Sequence, residues 1–355
     1  MGLPEILIEF KTKAETAVRR SENGIVAVIL LDNTDTEITG CTYNYEKDID
    51  KTKWSVKNLD YLNLIFKGSP KRVIVERIAT DEDYEKALSR LKNKSWNWLT
   101  IPEINSEKVQ NISDWIIAQR SAKKTFKAVL ACSAAGVNAN HEGVVDFATE
   151  TIKVGAKTYS SHEYCARIAG LLAGLPMTES ATYKALPEID SITESLTPDL
   201  DIDKGQLILI NDGEKIKVAR GINSLHVISE DKTEDMKKIK IIEAIDLMRD
   251  DIKSTFEENY IGINNSYDNK IMFVAAVNQY FDSLARQGIL YDEAENIADI
   301  DVNAQREWLA QKYNDVSEYS DEQIRRAKTG SYIFVTANVT FSDAIEDLRF
   351  SINMQ

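Results

Sequence analysis

His162 and Cys165 stand three residues apart, close enough to share one face of a helix as metal ligands. A metal needs three or four ligands, and the other candidates, Cys132 and His141, form no recognisable ligand pattern with this pair. Cys165 reads as well as a small buried residue, and no nucleophile can be named beside His162. Asp246, Asp250 and Asp251 are interleaved with Arg249 and Lys253, as on a solvated, ion-paired helix face. The chain carries no G-x-x-x-x-G-K-S/T phosphate loop, no G-x-G-x-x-G turn after a strand and no G-x-S-x-G elbow. Gly170 and Gly174 lie four apart inside an apolar run, which points to close helix contact rather than a ligand. Trp96 and Trp98 fall on one face of a strand and read as packing residues. The residues therefore make up no catalytic constellation, and no cofactor or metal is expected.

The elements that would position these residues alternate between strand and helix. Ile25 to Leu31 (IVAVILL) is a continuous apolar run, the mark of a strand buried on both faces. Strands are also expected over Arg72–Ile78, Ser95–Ile101 and Phe126–Cys132. Helices are expected over Asn58–Phe66, Asp81–Leu91, Ser106–Gln119 and Tyr164–Leu175. That spacing predicts a mostly parallel sheet with helices on both faces from residue 25 to about 185. From Leu186 to about Ile228 the pattern changes to short strands, with an Asp212-Gly213 hairpin between Leu207–Ile210 and Lys215–Ala219. Thr233 to about Tyr313 reads as helical, with long helices over Met236–Tyr260 and Asn269–Gly288. Ser331–Phe341 reads as a strand in which Ile333, Val335, Val339 and Phe341 share a face.

Each end of the sequence has the pattern of a lone strand. Ile6, Ile8 and Phe10 alternate with Glu5, Leu7 and Glu9, and Leu348, Phe350, Ile352 and Met354 alternate with polar residues. A strand that is apolar on one face needs a sheet, in its own chain or in another. Lys11 to Asn23 is rich in charge and ends at Gly24, which suggests a hinge.

At 355 residues the chain is long enough for two or three domains. A net charge of −14 repels phosphate backbones, so nucleic acid is not an expected partner. No apolar run is long enough to span a bilayer. Three cysteines and no signal-peptide pattern suggest synthesis in a reducing cytoplasm.

Several stretches resemble contractile tail sheath proteins: GLPEILIEF with TAVRRSENGIVAVIL, SSHEYCARIAGLLAGLP with SATY, VARGINSL, and IRRAKTGSYIFV with DAIEDLRFSINMQ. The likeness runs along the whole chain in order. It is nearest to the compact sheaths of clostridial-type myophages, defective prophage particles and R-type bacteriocins such as diffocins. The resemblance implies an α/β fold, α+β overall. A central subtilisin-like domain with a mostly parallel sheet, without a protease pattern, would be followed by a C-terminal helical domain. The small sheet of that second domain would be completed by arms from neighbouring subunits.

The implied organisation is an N-terminal strand arm and hinge (1–23), the α/β domain (24–185), a β-rich segment belonging to it (186–230), a C-terminal sheath domain (231–342) and a strand arm (343–355). The arms would be Ile6, Ile8 and Phe10 and then Leu348, Phe350, Ile352 and Met354. The receiving sheet would carry Ile333, Val335, Val339 and Phe341. The implied function is a structural one: six-fold rings stacked around an inner tube, contracting to drive it through a target envelope. Its partners would be further copies of itself, the tube protein, and baseplate and tail terminator proteins. The particle would be assembled in a bacterial cytoplasm and released by lysis. An α/β hydrolase-like enzyme with an unrecognised site, or a non-contractile tail or baseplate component, are the alternatives.

Overall fold

A computed structural model describes residues 24–35, 37–79, 84–312 and 316–352. The arm residues Ile6, Ile8, Phe10 and Met354 lie outside the described residues. The described chain divides into two compact units, a larger one of residues 24–243 with 343–352 and a smaller one of residues 244–342.

In the larger unit the strands and helices follow the order β1 (Ile25–Leu31), β2 (Gly40–Tyr43), α1 (Val56–Phe66), β3 (Arg72–Ile78), α2 (Tyr84–Leu91), β4 (Trp98–Thr100), α3 (Val109–Ser121), β5 (Lys127–Leu130) and β6 (Val144–Phe147). They continue with β7 (Glu150–Val154), β8 (Lys157–Tyr159), α4 (Ser161–Gly174), β9 (Ser191–Thr193), α5 (Pro198–Asp203), β10 (Gln206–Leu207), β11 (Leu209–Asn211) and β12 (Ile216–Val218). Seven strands form one sheet in the order β10-β6-β5-β4-β1-β3-β2, every pairing parallel except that of β2 with β3.

The apolar run of β1 is explained by its two faces. Val26, Val28 and Leu30 enter one core with α1 and α4, and Ile25, Ala27 and Ile29 enter a second core with α2 and α3. Ser55 caps α1 by accepting from the Asn58 N–H, and Ser160 with Glu163 forms a capping box on α4. α1 and α4 meet at the glycines: a Cβ at Gly170 would lie 2.1 Å from the Ile65 carbonyl oxygen, and one at Gly174 would lie 1.6 Å from that of Gly68. The expected hairpin forms as β11 and β12, with Gly213 at φ +93° in its turn.

Trp96 and Trp98 do not share a face. Trp96 precedes β4 and enters the α2–α3 core, where its ring stacks on Phe126 at 3.9 Å, whereas Trp98 enters the opposite core. Strand alternation holds only where the backbone is extended, and here it begins at Trp98.

The smaller unit takes most of α6 (Ile239–Asn259), then α7 (Tyr267–Arg286), β13 (Ile297–Ile300), α8 (Val302–Lys312), α9 (Asp321–Arg326) and β14 (Val335–Asn338). Phe256, Tyr260 and Phe273 pack ring against ring, with Phe273 edge-on to the other two at 5.3 and 4.9 Å. β13 and β14 form a two-stranded antiparallel sheet. β13 falls inside the stretch that the sequence presents as helical. The expected strand over Ser331–Phe341 narrows to Val335–Asn338, so Ile333 and Val339 flank it and Phe341 makes an isolated bridge to Leu290.

Candidate assembly interface

The two edges of the β13–β14 sheet are unlike. The Asp301 N–H donates to the Phe334 carbonyl at 3.0 Å, which fixes the phase of the ladder: 301/334, 299/336 and 297/338 are the hydrogen-bonded pairs. On β13 the intervening Ala298 is already satisfied from its far side. The Asn278 side chain on α7 accepts from the Ala298 N–H at 2.6 Å and donates to the Ala298 carbonyl at 3.0 Å. This amide occupies the place a neighbouring strand would take, and the Ile300 N–H is turned to the Asp299 carboxylate at 2.7 Å.

On β14 the out-of-phase residues, Val335 and Ala337, aim their N–H and C=O groups away from β13. Among the described residues no backbone group pairs with them, and β14 has no second neighbouring strand. Such an edge is a template for a further strand. Of the expected receiving residues, Ile333, Val335, Val339 and Phe341 are all half-buried, while Thr336, Asn338 and Thr340 are exposed.

The C-terminal segment supplies the complementary feature. Residues 343–352 have no regular structure and pair with no strand of their own chain among the described residues. Leu348, Phe350 and Ile352 are 85%, 76% and 76% exposed. These three large apolar side chains stand at alternate positions on a backbone that has no strand partner among the described residues.

The base of this segment is anchored to the larger unit. Glu346 accepts from Ser180 Oγ at 2.7 Å, Thr182 Oγ1 at 2.6 Å and an Arg220 guanidinium nitrogen at 3.1 Å. Arg220 also donates to Asp347 at 2.6 Å, and Lys238 pairs with Asp343. The hydrogen bond to Asp347 raises the Arg220 pKa, and Arg220 holds the Asp347 carboxyl below its usual range. Burial works against the charge on Lys238, but the Asp343 carboxylate prevails and raises its pKa. The sequence reading passed over Arg220, Glu346 and Asn278 as working residues. The three acids Asp343, Glu346 and Asp347 just ahead of an apolar alternation are the signal that could have marked an anchored arm.

Gly24, expected at a hinge, has a packing role. It is buried, its N–H donates to the Ala173 carbonyl, and its own carbonyl accepts from the Lys71 N–H at 2.8 Å. A Cβ here would come 2.9 Å from the Ala173 oxygen. With both backbone groups held, Gly24 is fixed in place just ahead of β1.

The chemical candidates are dispersed. Burial pushes the thiols of Cys132 and Cys165 well up, so neither is a thiolate. Burial lowers the His162 pKa, and its Nδ1 has no hydrogen-bond partner among the described residues. Asp251 accepts from Tyr280 Oη at 2.9 Å. No group of three or more His, Cys, Asp or Glu residues that could hold a metal occurs among the described residues. No described helix is long and apolar enough to cross a membrane.

A mixed α/β fold with this parallel-rich sheet and helical second unit is that of tail sheath proteins. The chain is similar to a sheath tail protein from Listeria innocua, with a TM-score of 0.71 and 14% identity over 96% of this chain and 100% of that one. A sheath tail protein from Desulfitobacterium hafniense matches with a TM-score of 0.68 and 14% identity over 79% of this chain and 90% of that one. A chain of the anti-feeding prophage baseplate matches with a TM-score of 0.69 and 11% identity over 94% of each.

Family models then fix the relationship in sequence. The phage tail sheath protein central domain matches residues 78–224, and the phage tail sheath C-terminal domain matches residues 231–355. The tail sheath protein of Clostridium phage phiCD119 is 35% identical over 367 residues, which span 99% of both chains. The chain belongs to the phage tail sheath family. It is a structural protein of a phage tail or a related contractile system, not an enzyme.

Proposed function

We propose that this chain polymerises through exchanged strands into stacked six-fold rings around an inner tube, and that the sheath contracts to drive the tube through a target cell envelope. The six-fold ring, the tube, the baseplate and the terminator enter through the family. The observation in this chain that carries the reading is the match between the open β14 edge and the exposed, unpaired Leu348–Phe350–Ile352 segment.

Because Asn278 occupies the far edge of β13, the arms add on one side only. One pairs with Val335 and Ala337 on β14, and the other pairs with the first arm. Each added strand contributes about 0.5–1.5 kcal/mol per backbone hydrogen bond, and each fully buried Leu, Ile or Phe side chain about 1.5–3 kcal/mol. A donor contacting an unlike acceptor is heterologous and repeats as a ring or an open helix. A subunit that both gives and receives arms is held multivalently, so bodies can shift while the mesh stays joined. Irreversible contraction then requires an extended state that is kinetically trapped. The particle is a contractile phage-tail-like one, of the phage or R-type bacteriocin kind, made in a bacterial cytoplasm and released by lysis.

Negative-stain electron microscopy of the purified full chain tests this directly. Rings or hollow tubes are expected, and a uniform field of compact monomers at high concentration would defeat the proposal.

A further inference from the structure

We infer that residues 343–347 form a polar latch that sets where the C-terminal arm leaves its own subunit, with Glu346 as the positioning residue and Ser180, Thr182 and Arg220 as its socket. This deepens the strand-exchange reading above and rests on it, the occupant beyond the latch being a second copy of this chain.

The socket is built before Glu346 arrives. The Gly221 N–H donates to Thr182 Oγ1 at 2.9 Å and the Thr182 N–H donates to Ser180 Oγ at 3.1 Å. Each hydroxyl thus accepts from a backbone N–H; Thr182 Oγ1 gives its proton to the carboxylate, and Ser180 Oγ, which also lies 3.0 Å from Thr182 Oγ1, shares its one proton between that oxygen and Glu346. The Glu346 side chain is 9% exposed and takes three donors, one of them a guanidinium. Its neighbours Asp343 and Asp347 are the outer, more exposed pairs, with Lys238 and Arg220.

Side chains, not backbone bonds, hold this stretch: among the described residues the last backbone bond before the arm is from the Ser342 N–H to the Ile289 carbonyl at 2.9 Å. A sheet pairing here would consume the arm's own donors and acceptors. A side-chain latch fixes the base and leaves the strand beyond it unsatisfied, as exchange requires. The socket also gathers residues 180–182, 220–221 and 346–347, which are remote in sequence. Because the outer pairs are partly solvated, the latch weakens as salt rises.

Trypsin cleavage after Arg349 in the unassembled full chain reads the latch without reading assembly, since the protease must draw residues on both sides of that bond, Glu346 and Asp347 included, into its cleft. E346A and R220A should be cut about tenfold faster than wild type at unchanged melting temperature. E346Q should fall between wild type and E346A. Raising salt should speed cleavage of the wild type, which settles the matter should a variant not fold. Equal rates for wild type, E346A and R220A, with no response to salt, would overturn the latch. If wild type forms tubes in the microscope while cleavage is indifferent to Glu346, the latch alone is wrong. If cleavage responds as expected and no tubes form, the strand-exchange reading alone is wrong.

Discussion

The two principal sheets of this protein are built to opposite standards. The seven-stranded sheet of the larger unit is finished within the chain. Its central strands are buried on both faces, and its outermost strands, β10 and β2, have only two and four residues. Among the described residues the β13–β14 sheet of the smaller unit has two strands, one edge occupied by Asn278 and the other without a partner. Two strands alone are marginal in water. The contrast is one of burial: the large sheet has a core on each face, whereas among the described residues the small sheet has one edge without a partner.

Breaking the open side should have the largest effect. A chain ended after Asp347 should lose tube formation altogether, as seen by electron microscopy and sedimentation, with its thermal transition kept. Tubes forming as readily from the shortened chain would remove the arm from the comparison. Proline at Ala337, whose N–H faces the open edge, should lower assembly by tenfold or more and leave the monomer folded. Proline at Thr336, whose N–H faces β13, should instead destabilise the smaller unit by about 3 kcal/mol. Matching phenotypes for the two substitutions would show that the edges are not distinct.

The complete side should fail by packing alone. G174A drives a methyl against the Gly68 carbonyl, so urea denaturation should show a loss of about 3 kcal/mol in the larger unit. A loss below about 0.5 kcal/mol would mean that α1 and α4 can part freely.

The smallest effect is a pH dependence confined to the complete sheet. Burial raises the Asp146 carboxyl on β6 to about 6, against the hydrogen bonds it accepts from Ser133. In the unfolded chain the group ionises near 3.9. The native state therefore binds the extra proton between those values, and stability from this group is whole below about pH 4 and is lost as pH rises through about 6. D146N, which carries no proton to lose, should gain on wild type by roughly 2 kcal/mol between pH 4 and 7. Parallel stability curves for the two proteins would place Asp146 in an ordinary, hydrated setting.

Much of the larger unit is legible in sequence because its signals are local and long. IVAVILL can only be a strand covered on both sides, Gly170 and Gly174 sit where two helices touch, and Asp212-Gly213 turns a hairpin. The apolar alternation at Leu348, Phe350 and Ile352 is equally plain, and with it the need for a sheet from elsewhere. β13 is hidden because four residues, Ile-Ala-Asp-Ile, between helices have no period long enough to betray a strand. Trp96 falls on the other face because the strand, expected from Ser95, begins three residues later at Trp98.

What the sequence alone determines, then, is the alternation of strands and helices, a C-terminal strand without a home, and membership of a family of structural proteins. What only the tertiary structure decides is which edge of the small sheet is occupied and where residues 343–347 are tied. Those answers lie in contacts between residues far apart in the chain: Asn278 on Ala298, and Glu346 on Ser180, Thr182 and Arg220. Whether a backbone donor is free depends on what folding brings beside it, and no residue type or spacing along the chain records that.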